Sequence, residues 1–386
     1  MGLRLSGRRE GIKQSEIRAM TSECTRLGGI NMAQGVCDLD LPECVIEGAV
    51  AAIREGINTY TPSEGIPFLK EAIAAKERLF YGMEIDPHEE VMVSCGATGA
   101  FYASAQALLD PGDEVIILEP YYGYHVSTLT SLGCVPVFVR LDPPSWSLDL
   151  SMLEKVVTKR TRGMMINSPG NPSGKVFTRE ELEMIAAFAE AHDLVVFSDE
   201  IYEHFIYDGL RHIPPATIAG LKGRTVTISG LSKLFSITGW RIGYAIAPPE
   251  VIRSASHFND LIYVCAPSPL QMGAARGLME LGQAYYDDLT REHMEKRDRF
   301  CAALAGAGLE PFVPKGAYYV LADMRRLPGG DDKAKVMHLL EKCGIAAVPG
   351  RAFYHDSSGS ELGRFCFAKR DDVLDEACER LGRLNL

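Results

Sequence analysis

Lys233 and Arg241 are the residues in this chain whose types and spacing most directly imply chemistry. They lie in Ser229-Gly-Leu-Ser-Lys233-Leu-Phe-Ser-Ile-Thr-Gly239-Trp-Arg241-Ile-Gly243, a run of small and apolar residues. A lysine desolvated in such a run gives up its proton more readily and becomes an amine nucleophile. An aldehyde then forms a Schiff base with it. Arg241 follows eight positions later and offers a planar fork suited to a phosphate. A lysine for an aldehyde and an arginine for a phosphate together suggest pyridoxal phosphate. A lone lysine in a Gly/Ser loop is more often a solvated side chain, so the weight rests on five other segments.

Gly96-Ala97-Thr98-Gly99-Ala100 follows an apolar run and opens a helical pattern. Small residues there let backbone N–H groups approach an anion, although a plain strand-to-helix turn reads the same way. The stretch is neither a Walker loop nor a full dinucleotide fingerprint. Glu119-Pro-Tyr121-Tyr122-Gly-Tyr124 brings aromatics that can stack on a planar ring or pack at a domain edge. Asn167-Ser-Pro169-Gly-Asn171-Pro172-Ser-Gly174 is a rigid double turn that can present the Asn171 amide at a fixed point. Leu194-Val-Val-Phe-Ser-Asp199-Glu200-Ile-Tyr202 places a carboxylate at the end of an apolar strand. A buried Asp199 needs a cationic or donor partner, and a pyridinium N–H is one; a helix cap is the plainer alternative. Gly363-Arg364-Phe-Cys-Phe-Ala368 sets an arginine where it can grip a substrate carboxylate with two parallel bonds, or form a structural ion pair.

The elements that must position these residues are strands alternating with helices. Apolar runs at Val91–Cys95, Glu114–Leu118, Val135–Val139, Met164–Asn167, Leu194–Ser198, Thr225–Ser229 and Arg241–Ala247 read as strands. Amphipathic stretches lie between many of them, one with capping-box spacing from Thr178 to Glu181. The pattern predicts an α/β fold, a mostly parallel sheet covered by helices. It fades after residue 280, where a charged helical stretch leads into a Gly/Pro-punctuated α+β tail. The expected division is a large domain over 46–280 and a smaller α+β domain built from 1–45 and 281–386. Ligands of open parallel sheets collect at the carboxyl ends of the strands, and the chemically interesting residues after Cys95, Leu118, Asn167, Ser198 and Ser229 fall at such ends.

The chain has 386 residues and a net charge of −11, which argues against nucleic acid or an anionic membrane as partner. No apolar run approaches the roughly 20 residues of a membrane span. The first ten residues lack the apolar centre of a secretory signal. Ten cysteines form no C-x-x-C pair and read as reduced thiols of a cytoplasmic protein. Nine histidines show no metal-ligand spacing, and most are expected at the surface or in loops.

Taken together, the N-P-x-G turn at Asn171, the S-D-E-I-Y strand end at Asp199 and the S-K-x-x-x-x-T-G-W-R-I-G stretch at Lys233 resemble the class I/II aminotransferases. These are fold type I pyridoxal-phosphate enzymes with an aspartate-aminotransferase-like architecture. The resemblance runs from about residue 28 to 385. It implies Lys233 as the Schiff-base lysine and proton shuttle, and Asp199 as partner of the pyridine nitrogen. Asn171 and Tyr202 fall where the ring hydroxyl is bound, and Tyr122 at the ring-stacking position. Ala97, Thr98 and Arg241 match phosphate binders. Arg364 matches the α-carboxylate arginine, with Gly35 backbone beside it. Tyr60 resembles the tyrosine that reaches the neighbouring subunit's phosphate, which implies a homodimer with shared sites. The implied activity is amino transfer between an L-amino acid and a 2-oxo acid.

Two departures stand out. Many members carry a phosphate-binding serine three positions before the lysine; here that residue is Gly230, leaving Ser229 or Ser232 to substitute. The segment Gly35-Val-Cys-Asp38-Leu-Asp-Leu-Pro42 replaces a commoner G-x-P-D-F-x-x-P pattern. Thr98 falls where some bacterial members place a lysine for acidic side chains. Neutral, aromatic or sulfur-containing donors are therefore expected. The same cofactor residues would serve a carbon–sulfur lyase or a synthase. A regulator with an aminotransferase-like half would need a basic DNA-binding domain, and fewer than about 30 residues precede the matching region, short of a typical domain. A doubly wound nucleotide-binding protein would need a fuller glycine fingerprint.

Overall fold

The computed structural model describes residues 15–384, together with 3, 5–7 and 12; the first residues of the predicted smaller domain lie partly outside the described residues. Seven strands form the large sheet: β1 (Val91–Cys95), β2 (Glu114–Glu119), β3 (Val135–Arg140), β4 (Thr161–Asn167), β5 (Val195–Asp199), β6 (Thr225–Gly230) and β7 (Ile242–Ile246). Their spatial order is β1-β7-β6-β5-β4-β2-β3. Only β7 runs against its neighbours; β6, β5, β4, β2 and β3 pair in parallel. All six residues of β2, Glu114-Val-Ile-Ile-Leu-Glu, are buried, as expected of a strand with both faces covered.

Helices fill the connections. The one over Arg179–Ala191 starts on the predicted capping box: Thr178 accepts from the Glu181 N–H, and the Glu181 side chain accepts from the Thr178 N–H. A second sheet holds β8 (Glu310–Phe312), β9 (Tyr319–Asp323), β10 (Val348–Pro349) and β11 (Leu362–Cys366), antiparallel in the order β10-β11-β9-β8. The N-terminal segment joins this C-terminal part, because Ile30–Asn31 pairs in parallel with Ile345–Ala346. Residues around 33–36 are thereby carried over the mouth of the large sheet.

Among the described residues no helix is long and apolar enough to cross a membrane. The ten cysteines are all free thiols. Of the nine histidines, three are buried, His125, His212 and His293; the other six are partly or fully exposed.

Candidate active site

The carboxyl ends of β4, β5 and β6 open into a cleft of about 540 Å³, roofed by residues 34–36 and by Arg364 from β11. Gly35, Ala97, Thr98, Tyr122, Asn171, Asp199, Tyr202, Ser232, Lys233, Arg241, and Arg364 all line it. The turn after β4 is tied to the end of β5. Asn167 Nδ2 donates to the Asp199 carbonyl at 2.9 Å, and Asn167 Oδ1 accepts from the Asn171 N–H at 2.7 Å.

Lys233 sits in the first turn after β6, its Nζ donating to the Gly35 carbonyl at 3.0 Å. Burial pushes its pKa down to about 8, with Cys366 and Cys37 opposing and Arg241 and Arg364 assisting. A substantial share of free amine is therefore present near neutral pH, as a nucleophile or base requires. Gly35 has a second constraint. A Cβ there would lie 1.9 Å from the Tyr319 hydroxyl, so any larger residue would push the roof off the cleft.

Asp199 ends β5, and its Oδ2 lies 2.8 Å from His125 Nε2. His125 lies in the first turn of the helix Gly123–Leu132, with its ring edge-on to both Phe101 and Tyr122. Tyr122 stacks on Tyr124 with ring centroids 5.2 Å apart. Tyr202 Oη is 2.9 Å from Tyr319 Oη, and burial raises the pKa of both phenols, so both stay protonated.

Arg241 follows a tight turn and holds φ at 60°, in the left-handed region. A non-glycine residue there stores strain of the kind found at functional sites. Its Nη1 donates to the Thr238 carbonyl at 3.0 Å and its Nη2 to Thr98 Oγ1 at 3.3 Å. Gly96, at φ +76°, lies directly beneath: a Cβ there would be 2.3 Å from Nη2. Arginine, threonine and the N-terminus of the helix Gly96–Leu108 thus converge on one anion-sized spot.

Arg364 is only 1% exposed. Its Nη1 donates to Asn171 Oδ1 at 3.0 Å and its Nη2 to the Ala33 carbonyl. Its guanidinium lies between the rings of Tyr319 and Phe353, at 4.3 and 5.1 Å. Its Nε is buried with no partner among the described residues. A buried cation held only by neutral acceptors, with one donor unused, is a receptor for an anion.

Two sequence expectations fall elsewhere. Ser229 is turned away from the cleft: its hydroxyl donates to Glu203 Oε1 at 2.9 Å, inside a buried cluster with Lys76, Glu77 and Tyr244. The cause is strand alternation, since Ser229 pairs with Tyr244 and both hydroxyls point to the far face. Ser232, on the turn, is the serine that faces the cleft. Tyr60 is 83% exposed and does not line the cleft of its own chain. Sequence reading missed His125, Tyr319 and Phe353. His125 had one signal, its place three residues after Tyr122 on a helix start; Tyr319 and Phe353 had none beyond being aromatic.

The residues present fit pyridoxal phosphate: an amine of lowered pKa, a buried carboxylate, an aromatic wall, a phosphate cradle and an unsatisfied arginine. The chain matches the family of class I and II aminotransferases over residues 28–381. It belongs to that family. It is 38% identical over 376 residues to a probable N-succinyldiaminopimelate aminotransferase of Mycobacterium tuberculosis, covering 95% of this chain and 94% of the relative. To mouse kynurenine–oxoglutarate transaminase 3 it is 36% identical, covering 91% and 83%. Among solved structures, the Mycobacterium tuberculosis N-succinyldiaminopimelate aminotransferase superposes with a TM-score of 0.95 at 37% identity, over 99% of this chain and 100% of that one. An Escherichia coli protein with an identified methionine aminotransferase function superposes with a TM-score of 0.95 at 30% identity, over 99% and 100%. This aminotransferase therefore uses pyridoxal phosphate.

Proposed function

We propose that this aminotransferase moves the amino group of a neutral, aromatic or sulfur-containing L-amino acid to a 2-oxo acid, with the cleft residues in the roles below. The observation that carries the reading is the convergence of Lys233, the Asp199–His125 pair and the unsatisfied Arg364 on one cleft. When bound, the cofactor supplies an aldehyde carbon and an electron-withdrawing ring. Lys233 Nζ anchors it there and then moves a proton to and from the substrate α-carbon. Asp199 holds a proton at the ring nitrogen, and His125 fixes the carboxylate for that task. Arg241, Thr98, Ser232 and the Ala97 N–H bind phosphate. Tyr122 stacks on the ring, and Asn171 and Tyr202 bind the ring hydroxyl. Arg364 binds the substrate α-carboxylate beside Gly35, aligning the bond to be broken.

The donor class follows from charge. Of the cleft's cations, Lys233, Arg241 and Arg364 each have a task and Arg18 is exposed to solvent, so a short acidic side chain finds no buried cationic partner at the reacting centre, and an unpaired buried carboxylate is costly. The relatives' names divide: kynurenine and methionine have uncharged side chains and favour this reading, whereas N-succinyldiaminopimelate and aspartate carry further carboxylates. Every one of these names is an aminotransferase, which favours transfer over carbon–sulfur cleavage. A homodimer with shared sites gives the exposed Tyr60 something to reach.

A donor screen with purified protein and pyridoxal phosphate tests the reading. The expected products are 2-oxo acids with the amino group passed to an acceptor, and kcat/KM for methionine or phenylalanine should exceed that for aspartate by at least about 10-fold, within the range that losing a charged pair produces. Release of ammonia without amino transfer, or aspartate as the best donor, would contradict it. Arg364→Ala should impair every donor, because all share the α-carboxylate.

A further inference from the structure

Tyr319 has no task in the scheme above, yet it touches three residues that do. It opens β9 and pairs with Cys366, while Leu321 pairs with Arg364. Tyr319 and Arg364 are thus diagonal neighbours on one face of the second sheet. The Arg364 guanidinium rests 4.3 Å from the centre of the Tyr319 ring. At the tip of that ring the hydroxyl lies 2.9 Å from Tyr202 Oη, with the two rings at 88° to each other. The bare Cα of Gly35 closes a third side, where a Cβ would come within 1.9 Å of the Tyr319 hydroxyl. Tyr319 is buried, so packing fixes this hydroxyl in place.

Two hydroxyls at this distance make one hydrogen bond, so one donates and the other accepts. Burial raises the pKa of both phenols. At Tyr319 the Arg364 cation opposes the rise and leaves it at about 12. At Tyr202 no cation offsets burial, and Tyr319, Tyr122 and Asp199 all push the same way, so its pKa rises further. The more acidic phenol is the better donor. The neighbouring Tyr318 gives its proton to the Gly35 carbonyl at 3.3 Å. Tyr319 therefore donates to Tyr202, and the proton of Tyr202 is left to point into the cleft that Tyr202 lines.

We propose that Tyr319 is a positioning residue: its hydroxyl donates to Tyr202 Oη, aims the Tyr202 O–H at the cofactor's ring oxygen and strengthens that donation. The proposal rests on the reading that places Tyr202 at the ring hydroxyl. A hydroxyl that accepts one hydrogen bond is polarised and donates the next more strongly. A stronger donor stabilises the anionic form of the ring oxygen. That favours loss of the proton which the oxygen shares with the Lys233 nitrogen. Tyr319 thereby lowers the pH at which the near-visible absorbance of the holoenzyme titrates. The groups facing the two hydroxyls are Arg364 and Cys366 on β11, Tyr318 beside Tyr319, and Tyr122 and Asp199 from the large sheet. Lys233 Nζ lies 5.7 Å from the centre of the Tyr318 ring. Tyr319→Phe leaves all of these in place and keeps the ring under Arg364, removing one oxygen.

The test is a spectrophotometric pH titration of four holoenzymes: unaltered, Tyr319→Phe, Tyr202→Phe and the double variant. Tyr202→Phe should raise the midpoint by about 1–2 units, the loss of a hydrogen bond to a charged oxygen. Tyr319→Phe should raise it by about 0.5 unit, the share that polarisation supplies. In the Tyr202→Phe background the same change should add less than about 0.1 unit, because its effect passes through Tyr202. A role in packing alone would move the midpoint equally in both backgrounds. In Tyr319→Phe, KM for amino donors should stay within about 2-fold while kcat falls by about 3-fold, the rate equivalent of the shift. An unchanged or lowered midpoint in Tyr319→Phe, or equal shifts in both backgrounds, overturns the role of Tyr319. An unchanged midpoint in Tyr202→Phe instead removes Tyr202 from the ring oxygen, and the proposal falls with that reading. If the unaltered band does not titrate within the protein's stable range, the same four-protein cycle in kcat decides: additive losses overturn the proposal, and losses that merge in the double variant support it.

Discussion

Asp199 and His125, 74 residues apart in sequence, form a buried pair with Oδ2 and Nε2 at 2.8 Å, and that pair sets the electrostatics at the floor of the cleft. Asp199 Oδ1 accepts from the Ile201 N–H at 3.3 Å. The carboxylate is thus fixed from two sides and still faces the cleft. Asp199→Asn should bind cofactor with the fold intact and lose turnover by about 30-fold or more, the effect of removing a 2–5 kcal/mol buried charge contact. His125→Gln keeps the charge but loosens its position, so its kcat loss should be smaller. Near-normal single-turnover rates in Asp199→Asn would remove Asp199 from the chemistry.

Lys233 gives a pH prediction. Burial lowers the ammonium pKa from 10.5 to about 8. At pH 7 about one molecule in ten then carries the free amine, against about one in 3,000 for an unperturbed lysine. Competitive reductive labelling of apoprotein across pH 6–10, read by mass spectrometry, should show Lys233 reacting with a midpoint near 8 while surface lysines follow a higher one. The same shift makes the folded apoprotein gain stability as pH rises from about 8 towards 10.5, because the unfolded lysine still holds its proton there. Reduction of the holoenzyme with borohydride should attach the cofactor to Lys233, and Lys233→Ala should carry no such adduct.

The cluster behind β6 predicts unequal costs for two glutamates. Lys76 Nζ lies 2.7 Å from both Glu77 and Glu203, all three fully enclosed. Burial pushes Glu77 above the usual carboxylate range despite Lys76. For Glu203 burial is outweighed by Lys76, His204 and His212, which hold it below. Glu203→Gln leaves Lys76 without its ionised partner and should cost about 3–5 kcal/mol in denaturant unfolding. Glu77→Gln removes a group that is already reluctant to ionise and should cost far less. Because Glu77's pKa is raised in the folded state, its ionisation opposes folding as pH climbs above about 4.3. Glu77→Gln should therefore flatten the decline of stability with rising pH.

Tyr60 tests the dimer. It is exposed on its own chain, so its side chain is available to a neighbour. Mixing inactive Tyr60→Ala with inactive Lys233→Ala subunits should restore part of the activity through hybrid sites. No recovery despite demonstrated subunit exchange would argue that each chain works alone.

The sequence by itself determined the elements and much of the chemistry. Apolar runs, turn residues and the Thr178–Glu181 box act over a few positions, so the seven strands and their carboxyl-end residues were legible locally. The setting of Lys233 and its eight-residue spacing to Arg241 are local too. Only the tertiary structure decided which far residues complete the site. Arg364 meets Asn171 and Ala33 across 193 and 331 positions, because the second sheet folds back over the first and carries the N-terminal segment with it. His125 reaches Asp199 because its helix follows β2, which lies two strands from β5 in the sheet order. Ser229 and Ser232 were indistinguishable as phosphate candidates until the face of β6 was fixed by its pairing with Tyr244. Arg18 became visible as a cleft cation only when its helix was placed beside Tyr124. Local periodicity says which way neighbouring side chains alternate; which face meets which partner depends on strand order and on packing between segments hundreds of residues apart.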